Sequence, residues 1–523
     1  MNNSMDDRFA KLRLFSLEWG AKKGSCPDLT KWRSRLKLDN VELLYVLGLG
    51  DGSPYFSLQS WLAEKKQRRL VFLEKEGSAI GSLFEENHPL LSDPQVDLEW
   101  LGSEDTLSEL AERYPVQKVE VVQLPGVRDP KIRLKLLRKT MLSYSLYQDR
   151  LYSYQHFEHF LRNVPRLKGA FYANALKGAF SGATAVVCGA GPSLQAAIGL
   201  IKQLQRRALI IAGGSAVAAL SAQGIIPHFA LAIDPNYDEY LRFRNSFAFE
   251  CPLLFSTRLH HAVFATCSGP FGYLRSGFGG APELWLDKEL GIDDPLLGKD
   301  LDDESASVTP VCIAFAQLLG CSAIALSGVD LAYAQGKRYA EGVSGEKTDL
   351  QSIEAEKNVA DRILLRKDKH GSPIFTALRW IMEENALSRL AKKHPEIRWI
   401  NTSEGGLPIR NFETMSLADA IEAYCPHRID FRTQIARLIA DHPMPDPSGK
   451  LEELEASLLR VISHLEILAG EKKGSKALAE IELQEELATK VLFYDIERML
   501  SFQEEENRWP FYLSHARKHR SAV

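Results

Sequence analysis

The sequence predicts an α/β protein with a Rossmann-like central domain, a smaller Rossmann-like N-terminal domain and a helical C-terminal region. Short apolar runs without alternation, such as Ala185–Cys188 and Phe229–Ile233, are typical of strands buried on both faces of a parallel sheet. These runs alternate with helical segments, which is the pattern of a doubly wound fold. Beyond about Cys425, leucines recur at helical spacing without intervening strands.

The composition is that of an ordinary globular protein. Of the 523 residues, 45% are hydrophobic and 25% charged, and the net charge is −4. These values argue against a nucleic-acid-binding protein, which needs a concentrated basic face. No apolar stretch reaches the roughly 20 residues of a membrane span, and the charged start does not resemble a signal peptide. Because the seven cysteines form no CxxC pair, we expect them to be reduced in a cytoplasmic protein. The oligomeric state stays open.

We divide the chain into four predicted segments. Residues 1–130 form the N-terminal Rossmann-like domain, 131–180 a helical connector, 181–425 the central domain and 426–523 a helical hairpin. In the first segment the predicted strand Leu43–Leu47 runs into the glycine turn Gly48–Gly52, and the next strand ends at Glu74. An acidic strand end can bind ribose, but the same pattern occurs in folds that have lost the ligand. Whether this turn binds a ligand stays open.

Three strand ends of the central domain carry small or acidic residues. The first strand runs into Gly189-Ala190-Gly191-Pro192-Ser193-Leu194, where Ser193 is placed to cap the following helix. Such a helix start offers free N–H groups and a positive dipole end to a phosphate. The second strand ends in Gly213-Gly214-Ser215 and the third in Asp234. Since carboxyl ends of parallel strands meet at one edge, we expect a ligand site there.

Two later segments add candidate proton carriers and an anion clamp. His260 and His261 follow the predicted strand Cys251–Ser256. Because adjacent histidines on a strand or turn point in different directions, we expect no chelating pair and no metal site. His260 is a candidate proton carrier at the same sheet edge as Asp234. Arg275, in the glycine-rich loop Ser268–Pro282, is a candidate anion clamp.

The last strand ends supply further candidate residues. Asp330 and Tyr333 follow the predicted strand Ala323–Ser327, and Thr402 follows the predicted strand Ile397–Ile400. A carboxylate at the sheet edge can hold a divalent ion against phosphates or act as a base. The candidate catalytic residues are therefore Asp330, His260 and Tyr333.

The glycine motif is neither a dinucleotide fingerprint nor a Walker A loop, because Leu194 stands at its sixth position and no lysine follows. It resembles the central domain of the motility-associated-factor glycosyltransferase family, shared with the MptE-like hydroxymethylpterin diphosphokinases. The resemblance covers roughly residues 177–411. It rests on Gly189–Leu194 (GAGPSL), Gly224–Pro227 (GIIP), Asp234-Pro235, Leu319–Cys321 (LGC), Gly328–Tyr333 (GVDLAY) and Asn401–Ile409 (NTSEGGLPI). His228 departs from the pattern, since the family more often has Asp there.

The resemblance implies a nucleotide-binding enzyme. Its nucleotide would contact Gly189, Gly191, Pro192, Ser193, Leu194, Gly213, Gly214, Ser215, Asp234, Ser305 and Ser307. The implied reaction is glycosyl transfer from a nucleotide-activated sugar, of the CMP-linked nonulosonic-acid type, to a protein hydroxyl. A second reading is ATP-dependent pyrophosphoryl transfer to 6-hydroxymethylpterin, with Mg²⁺ held by Asp234 and Asp330. A non-catalytic scaffold that retains the fold is the third.

Overall fold

The computed structural model describes residues 9–22, 24, 28–103, 105–302, 304–305, 307–343, 350–493 and 508–522. The chain forms two compact units, one of Met1–Tyr147 with Asp349–Leu364 and the other of Gln148–Thr348 with Leu365–Val523. Both contain a parallel sheet and helices, so the predicted α/β class is confirmed. The four predicted segments are a finer division, and their boundaries stay predictions.

The elements up to the long connecting helix are α1 (Ala10–Trp19), α2 (Leu29–Ser34), β1 (Leu43–Leu47), α3 (Ser53–Ala63), β2 (Arg69–Glu74), α4 (Gly77–Glu85), β3 (Val96–Trp100), α5 (Asp105–Arg113), β4 (Val119–Gln123) and α6 (Pro130–Leu151).

The elements that follow are α7 (Ser153–Asn163), β5 (Phe171–Tyr172), β6 (Thr184–Cys188), α8 (Leu194–Leu204), β7 (Leu209–Gly213), α9 (Ser215–Ala222), β8 (Phe229–Ala232), α10 (Tyr237–Phe243), β9 (Leu253–Phe255), β10 (Phe271–Tyr273), α11 (Gly280–Glu289), α12 (Val308–Leu318), β11 (Ala323–Ser327), α13 (Leu350–Glu356), β12 (Ile363–Lys367), β13 (Pro373–Ala377), α14 (Leu378–Lys393), β14 (Arg398–Asn401), β15 (Glu413–Thr414), α15 (Leu417–Tyr424), α16 (Phe431–Asp441), α17 (Ser448–Leu468), α18 (Lys476–Glu485), α19 (Leu487–Leu492) and α20 (Arg508–Arg520).

The first unit is built on a parallel sheet with the strand order β3-β2-β1-β4. Every residue of β1 is buried, as its unbroken apolar run predicts. Glu74, at the end of β2, does not project from the sheet edge. Its carboxylate accepts hydrogen bonds from the backbone N–H of Leu49 at 2.8 Å, of Lys75 at 2.7 Å and of Glu76 at 2.9 Å. The acid at this strand end therefore holds the glycine turn with its own side chain, and ligand binding at the turn stays open.

The second unit contains, in its described residues, a nine-stranded parallel sheet with the order β15-β14-β11-β6-β7-β8-β9-β10-β5. From β6 the chain winds outward through β7 to β10, and then returns to place β11 on the other side of β6. Strand β6 is followed by β7 on one side of the pair, and β11 lies next to β14 on the other side. This reversal is the topological switch point at which open α/β sheets bind ligands. Strands β12 and β13 form a separate two-stranded sheet that the sequence did not predict.

The C-terminal region is helical, as predicted. Helix α17 packs against α18, α19 and α20. Its leucine stripe forms the interface, since Leu454, Leu458 and Leu465 are all buried. The helical group is thus larger than the predicted two-helix hairpin. Residues 494–507 of the predicted hairpin lie outside the described residues. Within the described residues, no helix combines the length and the apolar character needed to cross a bilayer.

Six cysteines of the described chain are free thiols, and all but the half-buried Cys267 are buried. The burial of apolar thiols in the sheet and its helices agrees with reduced core residues. The seventh, Cys26, lies outside the described residues.

Candidate functional site

A cleft of about 500 Å³ opens at the carboxyl edge of the large sheet. Its walls include the loops after four adjacent strands: Gly189–Gly191 after β6, Gly213–Ala216 after β7, Ile233–Pro235 after β8 and Gly328–Ala332 after β11. The cleft therefore spans the switch point between β6 and β11. Its volume is in the range of small-molecule binding sites in proteins, about 300–1,000 Å³.

The structure brings many of the predicted site residues together around this cleft. The predicted residues that line it are Gly189, Gly191, Gly213, Gly214, Ser215, Asp234, Ser305, Ser307 and Asp330. The predicted residues outside its lining are Pro192, Ser193, Leu194, His260, Arg275, Tyr333 and Thr402. The two lists state only where these residues lie relative to the cleft, and the roles of the residues stay predictions.

The glycine bend after β6 is tied by its backbone to the loop after β11. Gly189 N–H donates to Ser327 O, and Gly191 N–H donates to Gly328 O, both at 2.8 Å. A Cβ at position 189 would lie 2.5 Å from Gly328 O, and one at position 191 would lie 2.6 Å from Asp330 Oδ2. Glycine is therefore required because two backbone segments and a carboxylate approach closely. The prediction that these amides are free for a phosphate is wrong for this conformation.

Asp330 occupies the start of helix α8. Its Oδ2 accepts a hydrogen bond from the Ser193 backbone N–H at 2.9 Å, and its Oδ1 accepts one from the Ser193 hydroxyl. Ser193 thus makes no side-chain cap on α8, which corrects the predicted capping role. Burial raises the pKa of the Asp330 carboxyl above its ordinary value, while the Ser193 hydrogen bonds and the charge of Lys369 lower it. The following residue, Leu331, holds a positive φ of 51°, a costly conformation that often occurs at functional sites.

Asp234 belongs to a charged cluster on the opposite side of the switch point. Its Oδ1 accepts hydrogen bonds from the Asn236 backbone N–H at 3.0 Å and side-chain amide at 2.6 Å. Arg242 Nη1 lies 3.7 Å from Asp234 Oδ2 and 3.1 Å from Glu239 Oε2. Glu239 is buried, and burial together with the Asp234 charge raises its pKa to about 7 against the attraction of Arg242. Sequence reasoning missed Glu239 and Arg242, although both lie within nine residues of Asp234.

Four arginines line the cleft, and sequence reasoning assigned none of them to the site. They are Arg242, Arg258, Arg338 and Arg379. Aromatic rings accompany them: the Arg338 guanidinium lies 5.1 Å from the Tyr339 ring centroid and 5.9 Å from that of Trp380. Guanidinium groups match phosphate geometry, and aromatic faces can stack on a base. The signal in the sequence was weak, because Arg379 and Trp380 lie on α14, far along the chain from the glycine bend.

Ser307 has two structural partners at the cleft wall. Its hydroxyl oxygen accepts from the Thr309 backbone N–H at 3.3 Å, which caps α12, and its hydroxyl donates to Glu383 Oε1 at 2.9 Å. Glu383 is buried, and this burial raises its pKa to about 7 against the Ser307 hydrogen bond and the charge of Arg379. Glu383 is therefore a second cleft carboxyl that can exchange a proton near neutral pH.

Arg275 and Thr402 are committed to structural contacts. Arg275 Nε donates to Asp287 Oδ2 at 2.9 Å, and burial raises the pKa of this carboxyl to about 6. The Thr402 hydroxyl donates to the carbonyl of Leu326 in β11 at 2.8 Å. Because both side chains serve protein partners away from the cleft lining, we do not include them in the proposed site.

Tyr333 and His228 also pack inside the unit. The Tyr333 ring packs edge-on against the ring of Trp380, with centroids 4.8 Å apart. Tyr333 thus contacts the cleft residue Trp380 without lining the cleft itself. His228 is buried, its Nδ1 accepts the Ile210 N–H at 2.8 Å, and burial lowers its pKa to about 3. The residue that departs from the family pattern is thus a neutral core histidine.

His260 lies beside the cleft. Its backbone N–H donates to the Asp234 carbonyl at 3.1 Å, but its ring faces two other histidines. Its ring stacks on that of His261, with centroids 4.9 Å apart and planes inclined by 17°, and approaches that of His159 on α7 at 4.7 Å. The prediction that the adjacent histidines point in different directions is therefore wrong.

Comparison with known proteins supports the motif resemblance. Residues 158–336 match the family model of the MptE-like 6-hydroxymethylpterin diphosphokinases, so the recognition is confirmed for this segment. The match includes the loops after β6, β7, β8 and β11, whereas the Asn401–Ile409 element lies beyond it. The structure of the MAf glycosyltransferase from Magnetospirillum magneticum AMB-1 is similar at 14% identity and a TM-score of 0.46, over 98% of this chain and 86% of that one. A comparison with curated proteins finds no match.

Proposed function

We propose that this MptE-like domain binds a nucleotide in its cleft and transfers a group from it to an acceptor. The observation that carries the proposal is the set of four arginines, Arg242, Arg258, Arg338 and Arg379, around the 500 Å³ cleft at the switch point. Phosphates are the anions that arginine forks bind best. A phosphate at Arg242 or Arg258 would displace Glu239 or Asp149 from its ion pair. Trp380 and Tyr339 supply aromatic faces for the base.

Glycosyl transfer from a nucleotide-activated sugar is the reaction that we favour. The acceptor hydroxyl oxygen would attack the anomeric carbon, and the bond to the phosphate oxygen would break, leaving its electron pair on the nucleotide. The arginines would stabilise that negative charge. The acceptor proton would pass to a cleft carboxylate. Glu239, with a pKa of about 7, and Asp330, with a raised pKa, are suited to accept it. The CMP-linked nonulosonic-acid donor and the protein acceptor rest on the motif resemblance.

Pyrophosphoryl transfer from ATP to 6-hydroxymethylpterin is the second candidate, because the matching family model carries that description. This reaction needs Mg²⁺ against the phosphates. Its predicted ligands already have partners: Asp234 contacts Asn236 and Arg242, and Asp330 contacts Ser193. Both carboxylates would have to release these partners to bind the ion. Sugar transfer needs no ion at these two carboxylates, and for this reason we rank it first and the kinase reaction second. Asp330 would have to release Ser193 to act as a base in either reaction.

Thermal unfolding of the full-length protein with CMP, ATP or ATP plus MgCl₂ tests the proposal. We expect CMP to raise the midpoint without Mg²⁺, since a ligand at 100 times its Kd adds about 2.7 kcal/mol of stability. A shift with ATP that depends on Mg²⁺ would favour the diphosphokinase. The absence of any shift would contradict nucleotide binding and leave the scaffold reading.

Two arginine variants localise the binding. Arg338→Gln and Arg379→Gln remove cleft charges, and each should weaken CMP binding by roughly tenfold or more, as expected for a charge-assisted phosphate contact. Arg460→Gln is the matched control, because Arg460 pairs with Glu486 on the C-terminal helices. If all three variants bind CMP equally, the nucleotide does not occupy this cleft.

A further inference from the structure

We propose that His159, His260 and His261 form a binding site for one divalent transition-metal ion of the Zn²⁺ type, beside the cleft. His159 lies on α7, and the other two lie in the turn after β9, where a short 3-10 helix His261–Thr266 begins. One ring nitrogen from each histidine lies within 4.8 Å of the others. Imidazole nitrogen is a preferred ligand of Zn²⁺, and three histidines are a known protein donor set for this ion. The proposal is independent of the proposed nucleotide reaction.

The spacing of the nitrogens suits a tetrahedral ion. His159 Nδ1 lies 3.1 Å from His261 Nδ1. Two ligands of a tetrahedral Zn²⁺ at 2.0–2.1 Å from the metal are about 3.3 Å apart. A small movement of the two rings would bring both nitrogens to this spacing, and the proton that His261 Nδ1 donates to His159 Nδ1 would move to His261 Nε2. A tetrahedral ion held by three imidazoles keeps its fourth position for water.

Hydrogen bonds already select the tautomer of His159 that metal binding requires. Its Nε2 lies 3.0 Å from the Pro235 carbonyl oxygen. Because a carbonyl only accepts, Nε2 carries the proton and the Nδ1 lone pair points toward His261. A ligating histidine whose other nitrogen donates to a backbone carbonyl is a frequent arrangement in metal sites. In His260, Nδ1 accepts the Ala262 N–H at 3.3 Å, so the neutral ring carries its proton on Nε2. Binding an ion would therefore cost this weak hydrogen bond: through Nδ1 the ion would replace the Ala262 N–H, and through Nε2 the ring proton would first move to Nδ1.

Burial lowers the pKa of all three rings. Burial and the two neighbouring histidines lower the pKa of His159 to about 3. Burial also lowers the pKa of His260 and of His261, although the Glu158 carboxylate opposes this for both. Arg162, which further lowers the pKa of His261, is paired with Glu158 at 3.1 Å.

The site would position a wall of the cleft. None of the three histidines lines the cleft. They nevertheless hold the loop after β8 at two points, through His159 to Pro235 O and through the His260 N–H to Asp234 O. A bound ion would thus join α7 and the turn after β9 beside the segment that carries Asp234. His260 would then be a metal ligand and not the proton carrier that the sequence predicts.

Calorimetric titration of chelator-treated, full-length protein with ZnCl₂ tests the site, with metal content after dialysis as a second readout. We expect one Zn²⁺ per chain, and Co²⁺ in its place should give the visible absorption bands of a tetrahedral complex. His261→Gln should weaken Zn²⁺ binding by at least roughly tenfold, because one of three ligands is lost. His427→Gln, a change at an exposed histidine, should leave binding unchanged.

His260→Gln is a second ligand variant, in case His261→Gln loses Zn²⁺ only because it misfolds. The His260 ring is only partly buried, so we expect this change to leave the fold intact. The variant should also lose Zn²⁺ while its circular dichroism stays that of the wild type. Equal Zn²⁺ affinity in the wild type, His260→Gln and His261→Gln would overturn the proposal. So would a wild type that retains no metal after dialysis.

Discussion

The carboxylate of Asp330 accepts both the backbone N–H and the hydroxyl of Ser193, and so takes up donors at the start of α8 that a phosphate would use. The first unit contains a similar contact, in which the Glu74 carboxylate accepts the Leu49 backbone N–H of the glycine turn. In each case the acid comes from the end of the strand next to the one that feeds the turn. A phosphate in the cleft must therefore displace Asp330 or bind beyond it, against the arginines.

Replacing Ser193 tests how much this contact stabilises the protein. Ser193→Ala removes the hydroxyl donor to a buried carboxylate, and the free energy of unfolding should fall by about 2 kcal/mol. Urea denaturation followed by fluorescence measures it. Ser372→Ala, at an exposed position, is the control and should change the value by less than about 0.5 kcal/mol. Equal effects of the two changes would contradict the contact.

Two glycines separated by eight positions should respond to alanine in opposite directions. In Gly191→Ala the new Cβ would lie 2.6 Å from Asp330 Oδ2 and 2.7 Å from Gly328 O, so unfolding should become easier by about 1–3 kcal/mol. At Gly199, exposed on α8, nothing lies within 4 Å of the new Cβ. Gly199→Ala should raise the free energy of unfolding by about 0.5–1 kcal/mol, because alanine favours a helix. Destabilisation by both, measured in urea, would contradict the packing of the bend.

The buried Glu239 should make stability depend on pH. Burial raises its pKa from 4.5 to about 7. The folded state thus binds the proton more tightly than the unfolded chain, and this contribution to stability is full below pH 4.5 and lost as the pH rises through 7. Glu239→Gln removes the titration, so its stability relative to the wild type should increase between pH 5 and pH 8 by on the order of 1–3 kcal/mol. Glu250→Gln, at an exposed position, controls for the loss of one charge. A difference that stays constant across this range would refute the assignment.

Neighbouring leucines on α17 test the C-terminal packing. Leu458 is 0% exposed and Leu459 is 41% exposed. Leu458→Ala should lower the free energy of unfolding by about 2–5 kcal/mol, because a cavity remains in the helical group. Leu459→Ala should change it by no more than about 0.5 kcal/mol. If chemical denaturation showed a similar loss of unfolding free energy for both variants, α17 would not pack through the face that carries Leu458.

The strands were predictable because their signal is local. Unbroken apolar runs such as Ala185–Cys188 can be buried only inside a parallel sheet, and the glycines at their ends mark where the backbone turns. The cleft loops were predictable for the same reason, since parallel strands deliver their carboxyl ends to one edge. Local rules therefore located the candidate site, and the motif resemblance agrees with the family-model match over residues 158–336.

The chemistry of the cleft was less predictable because it depends on contacts between distant segments. A capping rule placed the Ser193 hydroxyl on its own helix, but the Asp330 carboxylate competes for it from 137 residues away. Arg338 and Arg379 enter the cleft from separate later segments, where nothing local distinguishes them from surface arginines. Adjacent histidines on a strand or turn are expected to point in different directions, which does not hold for His260 and His261 where the 3-10 turn begins.

The first compact unit is assembled from two separate stretches of the chain. Arg362 pairs with Glu120, and the Val359 N–H donates to Gln117 O at 2.9 Å, so residues 350–364 complete a unit whose sheet ends at β4. On the ribosome, roughly 200 residues separate the two stretches, which at about 5–20 residues per second is a delay of some 10–40 s. The amino-terminal strands are therefore synthesised well before the segment that completes their unit, and a fragment that stops at Tyr147 would lack the contacts of residues 350–364.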